Sequence, residues 1–183
     1  MDGTQLLDVP AGLIESGPDV YAFEAERLPV VLGSEHLAFL RERAARSPRL
    51  RSRICMHRPN DAVHEMLIVH HRTVYVRPHR HARKSESLAV IEGEARVIFF
   101  DDDGAVRKAL ALGVPTAAER FFYRIPAGTW HALAIDSEWF VFHEVVAGPF
   151  VRSETEFPAW APDGDDPRAS AEYLERLRRE ISR

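Results

Sequence analysis

From His64 to Val146 apolar residues recur with a period of two, in short runs that turn residues keep interrupting: HEMLIVHH, TVYVRPH, ESLAVIEG, ARVIFFDD, VRKALAL, RFFYRI, WHALAI and EWFVFHEVV. Glu92-Gly93, Asp103-Gly104, Gly113 to Pro115 and Pro126 to Gly128 supply the breaks. Alternation sends successive side chains to opposite faces of a strand. Many short strands at close spacing, with no helical segment among them, predict a mainly β body over residues 64–150, an antiparallel sandwich or barrel.

The flanks read differently. Residues 1–63 are expected to form an N-terminal extension: a loop rich in Pro and Gly with one or two short edge strands around VYAF and LPVVL, then a helix over 34–46. Ser34 reads as its N-cap, Leu37, Leu40 and Ala44 recur at helical spacing, and Ser47-Pro48 stops the pattern. Residues 151–183 end in an amphipathic helix over about 167–182, with an Asp cap, Pro167 at its first position, and Tyr173, Leu174, Leu177 and Ile181 on one stripe.

Composition narrows the function classes. At 183 residues, 45% hydrophobic, 28% charged and a net charge of −4, the chain is expected to be a globular protein with neither nucleic acid nor membrane as partner. The N-terminus opens on an acidic residue instead of a basic n-region, and no apolar run approaches the roughly 20 residues of a membrane span. A cytoplasmic location is the expectation. Cys55, the single cysteine, permits no intramolecular disulfide and is read as a small buried hydrophobe.

Chemistry concentrates in HRHARKSESLAVIEG. His79 and His81 stand two apart on a strand-like stretch, so both imidazoles leave the same face and converge. Glu86 follows closely enough to bring a hard oxygen to the same point. These spacings resemble the first cupin motif, with His79, His81, Glu86 and Gly93 in its defining positions. PAGTWH, from Pro126 to His131, resembles the second motif and places His131 as the remaining ligand. Thr73 stands where the first motif has an earlier Gly, and the Asn that follows the second motif's His is absent.

Within the cupins the chain resembles the WbuC-type metalloproteins, often encoded with polysaccharide O-antigen genes. SPRLRSRICMHRPNDAVHEMLI, YVRPHRHARKSES, VIFFDDDG and EFPAWAPD carry that likeness. The resemblance implies a double-stranded β-helix, or jelly-roll barrel, with an N-terminal helix and a C-terminal amphipathic helix, in a homodimer. It implies no settled reaction. Three imidazoles and one carboxylate suit one divalent transition metal, Fe, Mn, Ni or Zn, with one or two positions open to water or substrate.

Further residues have two readings each. By alternation Tyr75 and Arg77 share the ligand face, so Arg77 either meets an anionic substrate or lies at the rim in solvent. Lys84 is either a proton donor or an ordinary loop cation, and Tyr123 and His143 are candidates for a general acid or base if they point into the cup. A hydrogen-bonded structural role is the alternative for His143. Six arginines, Arg41, Arg43, Arg46, Arg49, Arg51 and Arg53, would suit a phosphate or pyrophosphate, or else form a solvated helix face paired with Glu35 and Glu42. Three functions are compatible with these residues: a metal-dependent isomerase or epimerase on a small polar or carbohydrate-type molecule, in polysaccharide or nucleotide-sugar metabolism; an Fe(II) dioxygenase; and a non-catalytic cupin that binds a small ligand.

Overall fold

Seven of the eight alternating runs form strands, and an eighth, short strand follows the remaining run. They are β4 (Val63–His71), β5 (Arg80–His81), β6 (Glu86–Glu92), β7 (Glu94–Phe100), β8 (Val106–Gly113), β9 (Phe122–Ile125), β10 (His131–Ile135) and β11 (Trp139–Ala147). The computed structural model describes residues 6–24 and 29–182. Preceding the eight are β1 (Leu13–Gly17), β2 (Val20–Phe23), helix α1 (Ser34–Arg46) and β3 (Arg51–Cys55); β12 (Thr155–Glu156) and helix α2 (Pro167–Ile181) follow them. Parts of the expected N-terminal loop, 1–5 and 25–28 with the start of LPVVL, lie outside the described residues, as does Arg183.

One sheet has the order β1-β2-β3-β4-β11-β6-β9 and a second the order β10-β7-β8. A bridge between His79 and His131 joins β5, itself paired with β12, to the free edge of β10. Four strands of the first sheet, β4-β11-β6-β9, therefore face β5-β10-β7-β8, and the chain passes from one quartet to the other at every connection except the β7–β8 hairpin. This interleaving defines the double-stranded β-helix, the cupin-type jelly roll. Gly93 makes one of the crossings in a single residue: its φ of +82° suits a glycine, and a Cβ there would come within 2.4 Å of Trp139 O.

Alternation sorts the barrel into layers. Leu88, Val97, Leu133, Phe140 and Phe142 point inward. Val69 and Val141 point outward beneath α1, against Phe39 and Leu40, whereas Ile98, Ala132 and Ala134 meet Tyr173, Leu174 and Leu177 of α2. Every residue of β10 is buried, because the barrel covers one face and α2 the other. Asp166 caps α2 by accepting from the Arg168 and Ala169 amides. At α1 the cap is Gly33, one residue before the expected Ser34, and its amide donates to His36 Nδ1 at 3.0 Å.

Two stretches depart from the alternating pattern. Residues 74–78 have no strand pairing, so TVYVRPH forms no strand up to the His79 bridge. Conversely RSRIC, with arginines at alternate positions, forms β3 and pairs with both β2 and β4. No helix among the described residues is long and apolar enough to cross a membrane.

Candidate metal centre

The two motifs meet through their backbones before their side chains do. His79 N donates to His131 O at 3.0 Å and His131 N to His79 O at 2.9 Å, while Gly128 N donates to His81 O at 2.8 Å. This brings the rings of His79 and His131 to 4.3 Å between centroids and those of His79 and His81 to 5.2 Å. Glu86, at the start of β6, completes the group: one ligand atom from each of His79, His81, Glu86 and His131 lies within 4.8 Å of all the others. Donors held at about 2.1 Å from a single ion lie at most about 4.2 Å apart. About half an ångström of closure at the widest pair would suffice.

Each imidazole is held from behind. His79 Nδ1 donates to Arg77 O at 2.9 Å and His131 Nδ1 to Thr129 O at 2.9 Å; His81 Nδ1 lies 3.3 Å from the Thr155 hydroxyl. A carbonyl acceptor fixes the proton on Nδ1 and leaves Nε2 with its lone pair toward the centre. The buried His131 Nε2 has no hydrogen-bond partner, and Glu86 Oε2 lies 3.5 Å away. An unpartnered buried acceptor among two further imidazoles and a carboxylate is what a divalent cation would satisfy.

Electrostatics agree with that reading. Burial alone would raise the Glu86 carboxyl, but the close approach of His131 and His81 and the histidine charges hold it far below the usual range. Burial pushes His79 down to about 4, helped by the neighbouring His131. For His131 burial opposes protonation, yet the close approach and charge of Glu86 outweigh it and raise the imidazole above its ordinary value. One buried carboxylate thus keeps its negative charge among three imidazoles.

A cavity of about 230 Å³ opens above His79, Glu86 and His131. That is room for on the order of ten water molecules. Tyr123 lines it and donates to Glu86 Oε1 at 2.7 Å; burial and the Glu86 charge raise the phenol so that it keeps its proton. Tyr75, Arg77, Lys84 and His143 do not line this cavity. Val76 does, in place of Tyr75 and Arg77, because the unpaired 74–78 stretch does not keep strand alternation. Tyr75 instead donates to Pro162 O, and Arg77 to Asp163 O and Pro158 O beneath Phe157. Lys84 donates to Pro149 O, pairs with Glu154 at 3.0 Å and borders a small separate cleft behind His81. His143 lies outside the barrel, 3.5 Å from Glu65, since the opposite face of β11 turns inward.

That inward face carries Glu144, absent from the sequence candidates although it follows Phe140 and Phe142 at alternate positions. Burial, then the charge of Glu86, push its carboxyl up to about 8 against the opposing pull of Arg53. His70, on the same cavity wall, is pushed down to about 3 by burial and by Arg51 and Arg53. The arginine cluster divides in two. Arg41 pairs with Glu92, Arg43 donates to Leu7 O and Arg46 pairs with Glu42, while Arg49, Arg51 and Arg53 line the cavity.

The fold and the site together define a cupin-type barrel with a three-histidine, one-glutamate candidate metal centre. Among protein families, a domain of unknown function (DUF6016) matches residues 32–112, a stretch that holds His79, His81 and Glu86 but not His131. No curated protein matches the chain. Among solved structures the chain is similar to a conserved protein with a double-stranded β-helix domain from Klebsiella pneumoniae, at 20% identity over 59% of this chain and 84% of that one, with a TM-score of 0.45. KdgF from Halomonas sp. is 17% identical over 56% of this chain and 82% of that one, with a TM-score of 0.42. Oxalate decarboxylase from Bacillus subtilis is 20% identical over 54% of this chain, with a TM-score of 0.42, and the match spans only 24% of that longer protein.

Proposed function

We propose that this chain is a metal-dependent cupin that binds a divalent transition metal through His79, His81, Glu86 and His131 and performs proton-transfer chemistry, isomerisation or epimerisation, on a small polar molecule of carbohydrate type. The observation that carries the reading is the convergence of four ligand atoms at the floor of a cavity. Its volume suits a molecule of monosaccharide size, or the sugar end of a nucleotide-sugar. A role in polysaccharide metabolism, in the manner of the WbuC-type proteins, in the cytoplasm and as a homodimer, belongs to the same proposal.

A metal bound there supplies Lewis-acid polarisation of a substrate oxygen or a water of lowered pKa. The chain's own groups supply the rest. Tyr123 fixes Glu86 by its hydroxyl and leaves Oε2 turned to the imidazoles. Glu144 carries a proton near neutral pH at the cavity wall, where it can be passed to a substrate carbon or oxygen. Aliphatic and aromatic side chains from Ile68, Leu133 and Phe142 limit water beside it.

The test is incubation of the metal-loaded protein with a panel of aldoses, ketoses and sugar acids in D2O, followed by NMR. Metal-dependent entry of deuterium at a carbon next to a carbonyl is expected, and slower entry in Glu144→Gln. Oxygen consumption without deuterium entry would replace the proposal with a dioxygenase, and saturable binding without either would replace it with a ligand-binding module.

A further inference from the structure

Arg51 and Arg53 occupy alternate positions of β3, so their side chains leave the sheet on the same face; Ser52 and Ile54 turn the other way, toward α1. Their partners across the ladder are His70 and Ile68, both lining the cavity. β3 thereby extends the inner wall beyond the barrel's own strands, and its two guanidinium groups stand at the solvent end of a cavity whose buried end is the metal centre. Arg49 joins them from the preceding turn.

Charge at this mouth is out of balance. Arg49 is satisfied by Asp19 at 2.7 Å and by Pro18 O, which holds the β1–β2 turn as one lip of the opening. Arg51 and Arg53 have no carboxylate at ion-pair distance among the described residues. Partial burial and the proximity of Arg49 and Arg53 disfavour the charge on Arg51, yet a guanidinium stays protonated at any ordinary pH. Arg53 also hydrogen-bonds the Cys55 thiol and faces Glu144 across the cavity, but neither pairs it with an ionised carboxylate, since Glu144 holds its proton near neutral pH. Like charges brought together at a cavity mouth, with donors to spare, are stabilised by an anion that both can reach.

We infer that Arg51 and Arg53 form an anion subsite, so that the molecule entering this cavity carries a carboxylate or phosphate group at the end remote from the metal centre. This deepens the proposed function and rests on its reading of the cavity as the substrate site. It also explains why the sequence places arginines on a strand at positions where apolar residues would otherwise continue the barrel wall.

The test is an NMR titration of the 15N-labelled full chain with inorganic phosphate and, separately, with malonate. Each is done on the metal-free and on the metal-loaded protein, so that an anion seated on arginine is separated from one seated on metal. Saturable shifts at the amides and Nε–Hε groups of Arg51 and Arg53 are expected in both forms. The double variant Arg51→Gln/Arg53→Gln should weaken binding at least tenfold, and the exposed Arg107→Gln should not change it. Tighter phosphate binding identifies a phosphate ester as the natural ligand, and tighter malonate binding a carboxylate. Absence of saturation with both anions, or unchanged binding in the double variant, overturns the inference. A chain that takes up no metal but still shows arginine-dependent anion binding refutes the proposed function and leaves the subsite standing.

Discussion

Tyr123 and Glu86 form a buried pair in which the phenol donates to Oε1 at 2.7 Å while Oε2 of the same carboxylate lies 3.1 Å from His81 Nε2. The hydroxyl therefore orients the one anionic residue of the candidate metal centre. Outer partners of this kind typically contribute 10- to 100-fold in metal affinity. Tyr123→Phe keeps the ring in the core and should weaken metal binding by about tenfold, read by competition with a chelator. Affinity equal to the parent chain would show that Glu86 needs no such support.

Glu144 gives a pH-dependent expectation for the metal-free chain. Its carboxyl is raised from 4.5 to about 8, so the folded chain keeps a proton that the unfolded chain releases. The stability this group contributes is fully present below pH 4.5 and is lost as pH rises toward 8. Glu144→Gln removes that loss. The variant should be more stable than the parent by about 1–3 kcal/mol at pH 7.5 and equal to it at pH 4.5, measured by urea unfolding. A constant difference across that range would contradict the assignment.

His70 acts in the opposite direction. Its imidazole is pushed from 6.5 to about 3, so the unfolded chain binds the proton first as pH falls. Full stability is present above pH 6.5 and is lost as pH drops toward 3. Between pH 6.5 and 4.5 His70→Asn should lose about 1–2 kcal/mol less than the parent does, because the remaining histidines are shared by both chains. Parallel curves would mean that His70 titrates normally.

Gly93 tests the sheet crossing. Alanine there must adopt a φ of +82° and place a methyl group against Trp139 O and Ser137 Oγ, each 2.4 Å from the Cβ position. Gly93→Ala should cost more than about 2 kcal/mol in thermal or denaturant unfolding. A loss below about 0.5 kcal/mol would show that the turn relaxes freely.

Much of this barrel is legible in sequence because strand alternation and turn residues are local signals. VHEMLIVHH, EARVIFF and WFVFHEVVA show both, and so do the boundaries of the two helices within a residue. The four converging donors are legible because three of them sit inside one short motif and the fourth ends a second. What escaped depends on partners remote in the chain. β3 contains only two strongly apolar residues in five, and its strand character comes from pairing with β2 and β4. Alternation carried backward from His79 through Pro78 fails because residues 74–78 have no ladder to hold them. Glu144 was within reach of the same rule applied forward along β11, since Phe140 and Phe142 already mark the inward face. Lys84 and His143 illustrate the converse: Lys84, in the loop between β5 and β6, reaches Glu154 instead of the cavity, and alternation along β11 turns His143 outward to Glu65.

Metal content measured by inductively coupled plasma mass spectrometry tests the account most directly, on the chain purified without chelators and again after incubation with Fe, Mn, Ni and Zn. About one ion per chain is predicted, falling to a trace in the double variant His79→Ala/His131→Ala while its circular dichroism stays that of the folded barrel. A parent chain that emerges empty and takes up none of the four metals, although folded, would contradict the central claim.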